Sequence, residues 1–154
     1  MQLSKNFNLA EFTKSDTATK LKIDNTPKGE HLDNLKNVVE KIVQPVRDKF
    51  GVTKINSGYR CPDLNEAVRG SRTSQHCFGE AADIEVPGVP NATLAAWIKD
   101  NLEFDQLILE FYTPGVPDSG WVHVSLKRSG PQRKQVLTAV KEGGKTVYKP
   151  GLVA

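Results

Sequence analysis

The patterns along this chain predict an α+β fold, with N-terminal helices packed on an antiparallel sheet. Apolar residues recur at helical spacing in the first third, whereas most later segments alternate apolar and polar at the period of strands. The gaps between those later segments are of hairpin size, which favours antiparallel neighbours. With 154 residues the chain can bury a core as one domain without disulfides.

The opening "NFNLAEFTKSDTA" reads as a short helical turn with Phe7, Leu9 and Phe12 inward. In "EHLDNLKNVVEKIVQPVRDKF", Leu32, Leu35, Val38, Val39, Ile42, Val43, Val46 and Phe50 recur at three and four, the stripe of an amphipathic helix. Pro45 should bend that helix or break its last turn, and Gly51 should end it. His31, at its start, reads as an exposed or capping residue. "VTKINSGYR" is a short strand entering a loop, and "CPDLNEAVRGS" one or two helical turns with Pro62 in the first. "NATLAAWIKDNL" is a helix capped by Asn91 or Thr93. "AADIEV", "FDQLILEF", "WVHVSLK" and "KQVLTAV" are strands.

Composition excludes several classes. No stretch approaches the ~20 apolar residues of a membrane helix, and no tract is of low complexity. The first thirty residues contain no continuous apolar core of a secretory signal, so synthesis in the cytoplasm without a signal peptide is expected. The net charge of +3 is uneven: residues 126–154 carry seven Lys/Arg against Glu142 alone. Lysines protecting a strand edge explain this better than a nucleic-acid partner, because no aromatic residues interleave them and no nucleic-acid motif accompanies them. Cys61 and Cys77 form no CxxC pair and read as free, partly buried thiols.

Strand alternation gathers the polar residues. In "WVHVSL", Val122, Val124 and Leu126 share the core face, leaving Trp121, His123 and Ser125 on the other. Ala82, Ile84 and Val86 oppose Ala81, Asp83 and Glu85; Leu107, Leu109 and Phe111 oppose Gln106, Ile108 and Glu110. Asp83, Glu110 and His123 thus occupy the polar faces of strands that can be neighbours. In "SQHCFGEAAD", Gly79, Ala81 and Ala82 would let the chain fold back so that His76 converges on Asp83. Two imidazoles and a carboxylate suit a catalytic zinc, which keeps three protein ligands and an open position. Spacing alone leaves other roles open: a hydrogen-bonded loop histidine for His76, a turn carboxylate for Asp83, a satisfied sheet histidine for His123.

Three segments in order, "SGYRCPDLN", "SQHCFGEAAD" and "GWVHVS", together resemble the zinc D-alanyl-D-alanine carboxypeptidase family, whose patterns are S-x-Y-R, S-x-H followed by an aspartate seven positions after the histidine, and W-x-H. "NFNLAEFTKSDTA", "IDNTP" and "NLKNVVEKIVQPVRDKFG" are similar to phage endolysin-like members. The resemblance implies one zinc peptidase domain over 1–154: N-terminal helices over 1–51, a catalytic core over 52–127 and basic C-terminal strands over 128–154. It implies one Zn2+ held by His76, Asp83 and His123, with Arg60 facing the scissile carbonyl and Ser74 contacting substrate backbone. Tyr59 would pack beneath the site and assist substrate binding. Many members carry the catalytic acid three positions before the last histidine, where this chain has Gly120. The base is therefore assigned to Glu110, with Asp118 as runner-up.

The expected function is cleavage of D-amino-acid-containing peptide bonds in bacterial peptidoglycan, by a D,D-carboxypeptidase or endopeptidase of phage or prophage type. Peptidoglycan stem peptides would be the partner and a monomer the working state, acting at the wall or periplasm after release or from a virion. The alternative is a catalytically silent, zinc-stabilised binding or virion module of the same Hedgehog-like fold. Arg60 and Glu110 beside an open zinc favour the enzyme, since a binding module needs neither.

Overall fold

The computed structural model describes residues 1–153, so Ala154, the last residue of the expected segment 128–154, lies outside them. The chain opens with a small antiparallel hairpin, β1 (Gln2–Ser4) and β2 (Phe7–Asn8), followed by the short helices α1 (Leu9–Thr13) and α2 (Asp16–Leu21). Phe7 and Phe12 are buried and meet edge to face at 5.8 Å, while Leu9 is half-buried. Ser15 caps α2, its Oγ accepting from the Ala18 N–H at 3.2 Å.

The amphipathic segment forms α3 (Glu30–Val38), a π-helical turn (Val39–Val43) and α4 (Gln44–Phe50). Its stripe is core, with Leu35, Val38, Val39, Ile42, Val43 and Val46 fully enclosed. Pro45 does not break the last turn as expected. A proline gives no N–H to the carbonyl four residues back, and its ring crowds that carbonyl. The helix widens just before it, the Gln44 N–H bonding the Val39 carbonyl five residues back, and then runs on to Gly51 at φ 95°.

Six strands form the main sheet: β3 (Lys54–Ser57), β4 (Ala81–Glu85), β5 (Gln106–Glu110), β6 (Trp121–Ser125), β7 (Gln135–Glu142) and β8 (Lys145–Pro150). Their spatial order is β3-β4-β6-β5-β7-β8. The sheet is mixed rather than wholly antiparallel, because β7 lies parallel to β5. The connection after β6 carries the chain past β5 to its far side and reverses it, so β7 runs with β5. A buried carboxylate pins this crossing: Asp105, fully enclosed, accepts from the Arg133 backbone N–H (2.9 Å), from Arg133 Nε (2.9 Å) and Nη2 (2.7 Å), and from Gln75 Nε2 (3.1 Å).

Between strands lie α5 (Pro62–Ala67), a 3-10 turn (Gln75–Phe78) and α6 (Asn91–Asn101). Asn91 does not cap α6 with its side chain. It is buried, and its amide donates to Glu85 Oε1 (3.1 Å) and to the Ser119 (2.9 Å) and Gly120 (3.2 Å) carbonyls, tying the 113–120 loop to the helix start. α6 and the α3–α4 segment cover one face of the sheet, packing on Ile84, Leu107, Leu109, Val122 and Val124. Phe111 does not join that core: its φ of +56° ends the alternation at Glu110, and its ring stands 5.5 Å from that of Trp121. Among the described residues, no helix is long and apolar enough to cross a membrane.

Candidate metal centre

The uncovered face of the sheet carries the polar residues that alternation placed there. Directly paired residues point to the same side, so two adjacent rungs can be followed across the strands. One runs Asp83–His123–Ile108, and the next runs Trp121–Glu110–Ala139–Tyr148. His123 is therefore flanked by Asp83 on one neighbour and Ile108 on the other, with Glu110 one rung away.

His76 comes from outside the sheet. Ser74 starts the 3-10 turn, its Oγ accepting from the His76 N–H at 3.3 Å. Gly79 ends the turn at φ +76°, where an added Cβ would collide with the His31 carbonyl oxygen, so only glycine lets the chain double back here. His76 Nδ1 donates to the Gly58 carbonyl at 2.7 Å, which leaves Nε2 as the lone-pair nitrogen. That nitrogen lies 3.3 Å from Asp83 Oδ1, and His123 Nδ1 lies 3.0 Å from the same oxygen. Each of the three residues offers a ligand atom within 4.8 Å of the others.

These contacts fit a metal. Tetrahedral zinc with bonds of ~2.0–2.1 Å separates its ligand atoms by about 3.3 Å, close to both observed gaps. Burial pushes the Asp83 carboxyl up, but the His76 and His123 imidazoles against it hold it well below the usual carboxylate range. The aspartate is ready to ligate as an anion, and the Gly58 carbonyl orients His76 as partners of metal-bound histidines do.

The trio lies at the base of a cleft of about 460 Å³, whose walls include Arg60, Ser74, Glu110, Trp121 and Tyr148. Arg60 Nη2 donates to Ser74 Oγ at 3.2 Å, and the Arg60 backbone N–H to the His76 carbonyl at 3.1 Å. Its Nε–H is buried with no protein acceptor. Burial, and then the charge of Asp83, push the Glu110 carboxyl up, although His123, Trp121 and Arg60 oppose this. The Trp121 indole N–H borders the carboxylate without hydrogen-bond geometry tight enough to count as a partner.

Other expected residues fall elsewhere. Asp118 is exposed and lines a separate depression with Glu85, Pro87 and Pro90. Tyr59, expected to pack beneath the site and bind substrate, is buried and absent from the cleft wall; its hydroxyl sits 3.2 Å from His31 Nδ1. That contact half-buries His31, and Gly29 takes the capping position. Cys61 and Cys77 are free thiols outside the trio. Sequence reasoning missed Tyr148 and Arg133, both on the cleft wall. The two glycines of "KEGGKTVY" between alternating runs signalled the hairpin that delivers Tyr148.

Residues 5–125 match the family model described as Peptidase M15. No curated protein matches the chain.

Proposed function

The chain belongs to the peptidase M15 family, and on that premise we propose that it cleaves peptide bonds involving D-amino acids in bacterial peptidoglycan, with His76, Asp83 and His123 as the ligands of one zinc ion. The observation that carries this reading is the convergence of two imidazole nitrogens and a carboxylate oxygen within 4.8 Å at the base of a cleft also walled by Arg60 and Glu110. Zinc held there supplies Lewis-acid chemistry, polarising a peptide carbonyl and acidifying water toward neutral pH.

The remaining steps belong to the chain's own side chains. Glu110 accepts a proton from the attacking water at a carboxylate oxygen and then delivers it to the leaving amine. Its raised affinity for a proton suits both halves of that task. Arg60, held by Ser74, directs guanidinium N–H groups toward the negative charge that develops on the carbonyl oxygen. Ser74 accepts from Arg60 and His76, which leaves its own O–H to donate to substrate backbone. Gly120 supports Glu110 as the base: at φ +64°, an added Cβ would run into the Glu110 carbonyl oxygen, so this backbone has no room for a carboxylate three positions before His123. Asp118 faces another depression, which further favours Glu110.

Carboxypeptidase and endopeptidase activity, at the wall after release or from a virion, are distinguished by mass spectrometry of peptidoglycan and its muropeptides. Incubations with protein alone, with a chelator, and with zinc restored should show cleavage, none, and cleavage again. Loss of terminal D-Ala identifies a carboxypeptidase and opening of cross-linked dimers an endopeptidase. A protein that binds zinc and cuts no wall peptide is instead a zinc-stabilised binding module.

A further inference from the structure

The cleft is built from both edges of the sheet. Arg60 follows edge strand β3, whereas the opposite edge is the β7–β8 hairpin, which lies wholly beyond the residues the family model matches. Tyr148 of β8 pairs with Ala139 of β7, and Ala139 pairs with Glu110 of β5. The intervening residue is a buried alanine, so only a methyl group stands between phenol and carboxylate along that rung. Tyr148 is 52% exposed yet lines the same cleft as the metal trio. Burial, followed by the Glu110 charge, pushes its phenol pKa up, as proximity to a carboxylate requires. Ile108 and Trp121, on the same face, line the cleft with it, as do Gln106, Glu110 and Arg133, while Arg60 and Ser74 reach the cleft from beyond edge strand β3. A half-exposed tyrosine offers a rigid ring for packing and a hydroxyl that both donates and accepts.

We propose that Tyr148 is a substrate-contacting, specificity-determining residue that holds the leaving-group side of the scissile peptide. The inference rests on the peptidase reading with Glu110 as proton donor to the leaving amine. That amine must come within about 3 Å of the Glu110 carboxylate. The chain beyond it then continues away from the metal trio, and in the strand order β4-β6-β5-β7-β8 that direction leads from Glu110 toward Tyr148. Tyr148 stands two strands from Glu110, roughly 10 Å between backbones, whereas one residue spans about 3.5 Å. A leaving group of two or more residues therefore engages the ring more fully than a single terminal residue.

The test compares zinc-loaded wild type, Tyr148→Phe and Tyr148→Ala on peptides with one-residue and longer leaving groups. In parallel, calorimetry measures binding of uncut peptide to zinc-loaded Glu110→Gln with and without Tyr148→Ala. An aromatic contact of this kind predicts about a tenfold rise in KM and an equal weakening of binding for Tyr148→Ala on longer leaving groups. The loss should be smaller for one-residue leaving groups, and kcat and zinc content should hold. Tyr148→Phe keeps the ring and should lose less, and it carries the test if the alanine variant does not fold. Unchanged KM and binding in the variants, with wild type active, would overturn the role of Tyr148 alone. A wild type that cuts no wall peptide would instead remove the peptidase reading beneath it.

Discussion

Replacing Glu110 by glutamine separates chemistry from architecture, because the structure predicts opposite signs for activity and stability. The carboxamide keeps the size of the side chain and leaves His76, Asp83 and His123 untouched, so zinc content should stay at the wild-type level. Removing a general acid–base group costs about a hundred- to ten-thousand-fold in kcat, equivalent to about 3–5 kcal/mol of barrier. Stability should not fall. Burial and the nearby Asp83 charge raise the folded-state pKa of Glu110 above its ordinary value, so the folded protein holds this proton to higher pH than the unfolded chain. Stability of the metal-free protein therefore declines as pH rises through that window, and the deficit is full above it. Glutamine removes the deficit, so the metal-free variant should melt at or above the wild-type temperature at neutral pH while turnover collapses. Steady-state muropeptide cleavage, zinc analysis and thermal melts on one preparation read all three. A variant with zinc and normal turnover refutes the assignment of Glu110 as the base; a variant that melts well below wild type refutes the electrostatic argument.

Asp105→Asn removes the buried carboxylate that receives three Arg133 hydrogen bonds and one from Gln75; because the Arg133 side chain left behind is half exposed to water, the cost in denaturant unfolding should be about 1–3 kcal/mol. Burial raises the Asp105 carboxyl, but Arg133 outweighs it and holds the pKa below its ordinary value. The contribution is then complete above about pH 4 and is lost as pH falls through the lower folded value, so wild type and variant should converge in acid. Gly120→Glu, which restores the pattern of other family members, should destabilise by about 2–5 kcal/mol from left-handed strain and overpacking. Denaturation midpoints check it, and an unperturbed, active variant would contradict the close approach of Gly120 to the Glu110 carbonyl.

Two of the three candidate metal ligands were legible because strands with one buried face have little choice of register. Val122 and Val124 must face the core, which commits His123 to the other side, and Ile84 does the same for Asp83. His76 has no such period: it sits in a 3-10 turn shaped by Gly79 and a tertiary contact with the His31 carbonyl, and only its motif singled it out. Phe111 shows where alternation stops being a guide, since a single positive φ at the strand end turned an expected core residue outward. The parallel β5–β7 pairing and the Asp105–Arg133 lock join segments far apart in sequence, and local pattern does not encode that order. Strands as short as β1 and β2 carry too few residues to show a period at all.

The most direct test of the central claim is a zinc titration of metal-stripped protein against a chromophoric competitor, repeated with His123→Ala. Wild type should take up one zinc per chain and the variant should lose tight binding, with the α+β fold retained by circular dichroism. Saturable binding that is unchanged by His123→Ala, or no stoichiometric binding in wild type, would contradict the assignment of His76, Asp83 and His123 as a metal centre.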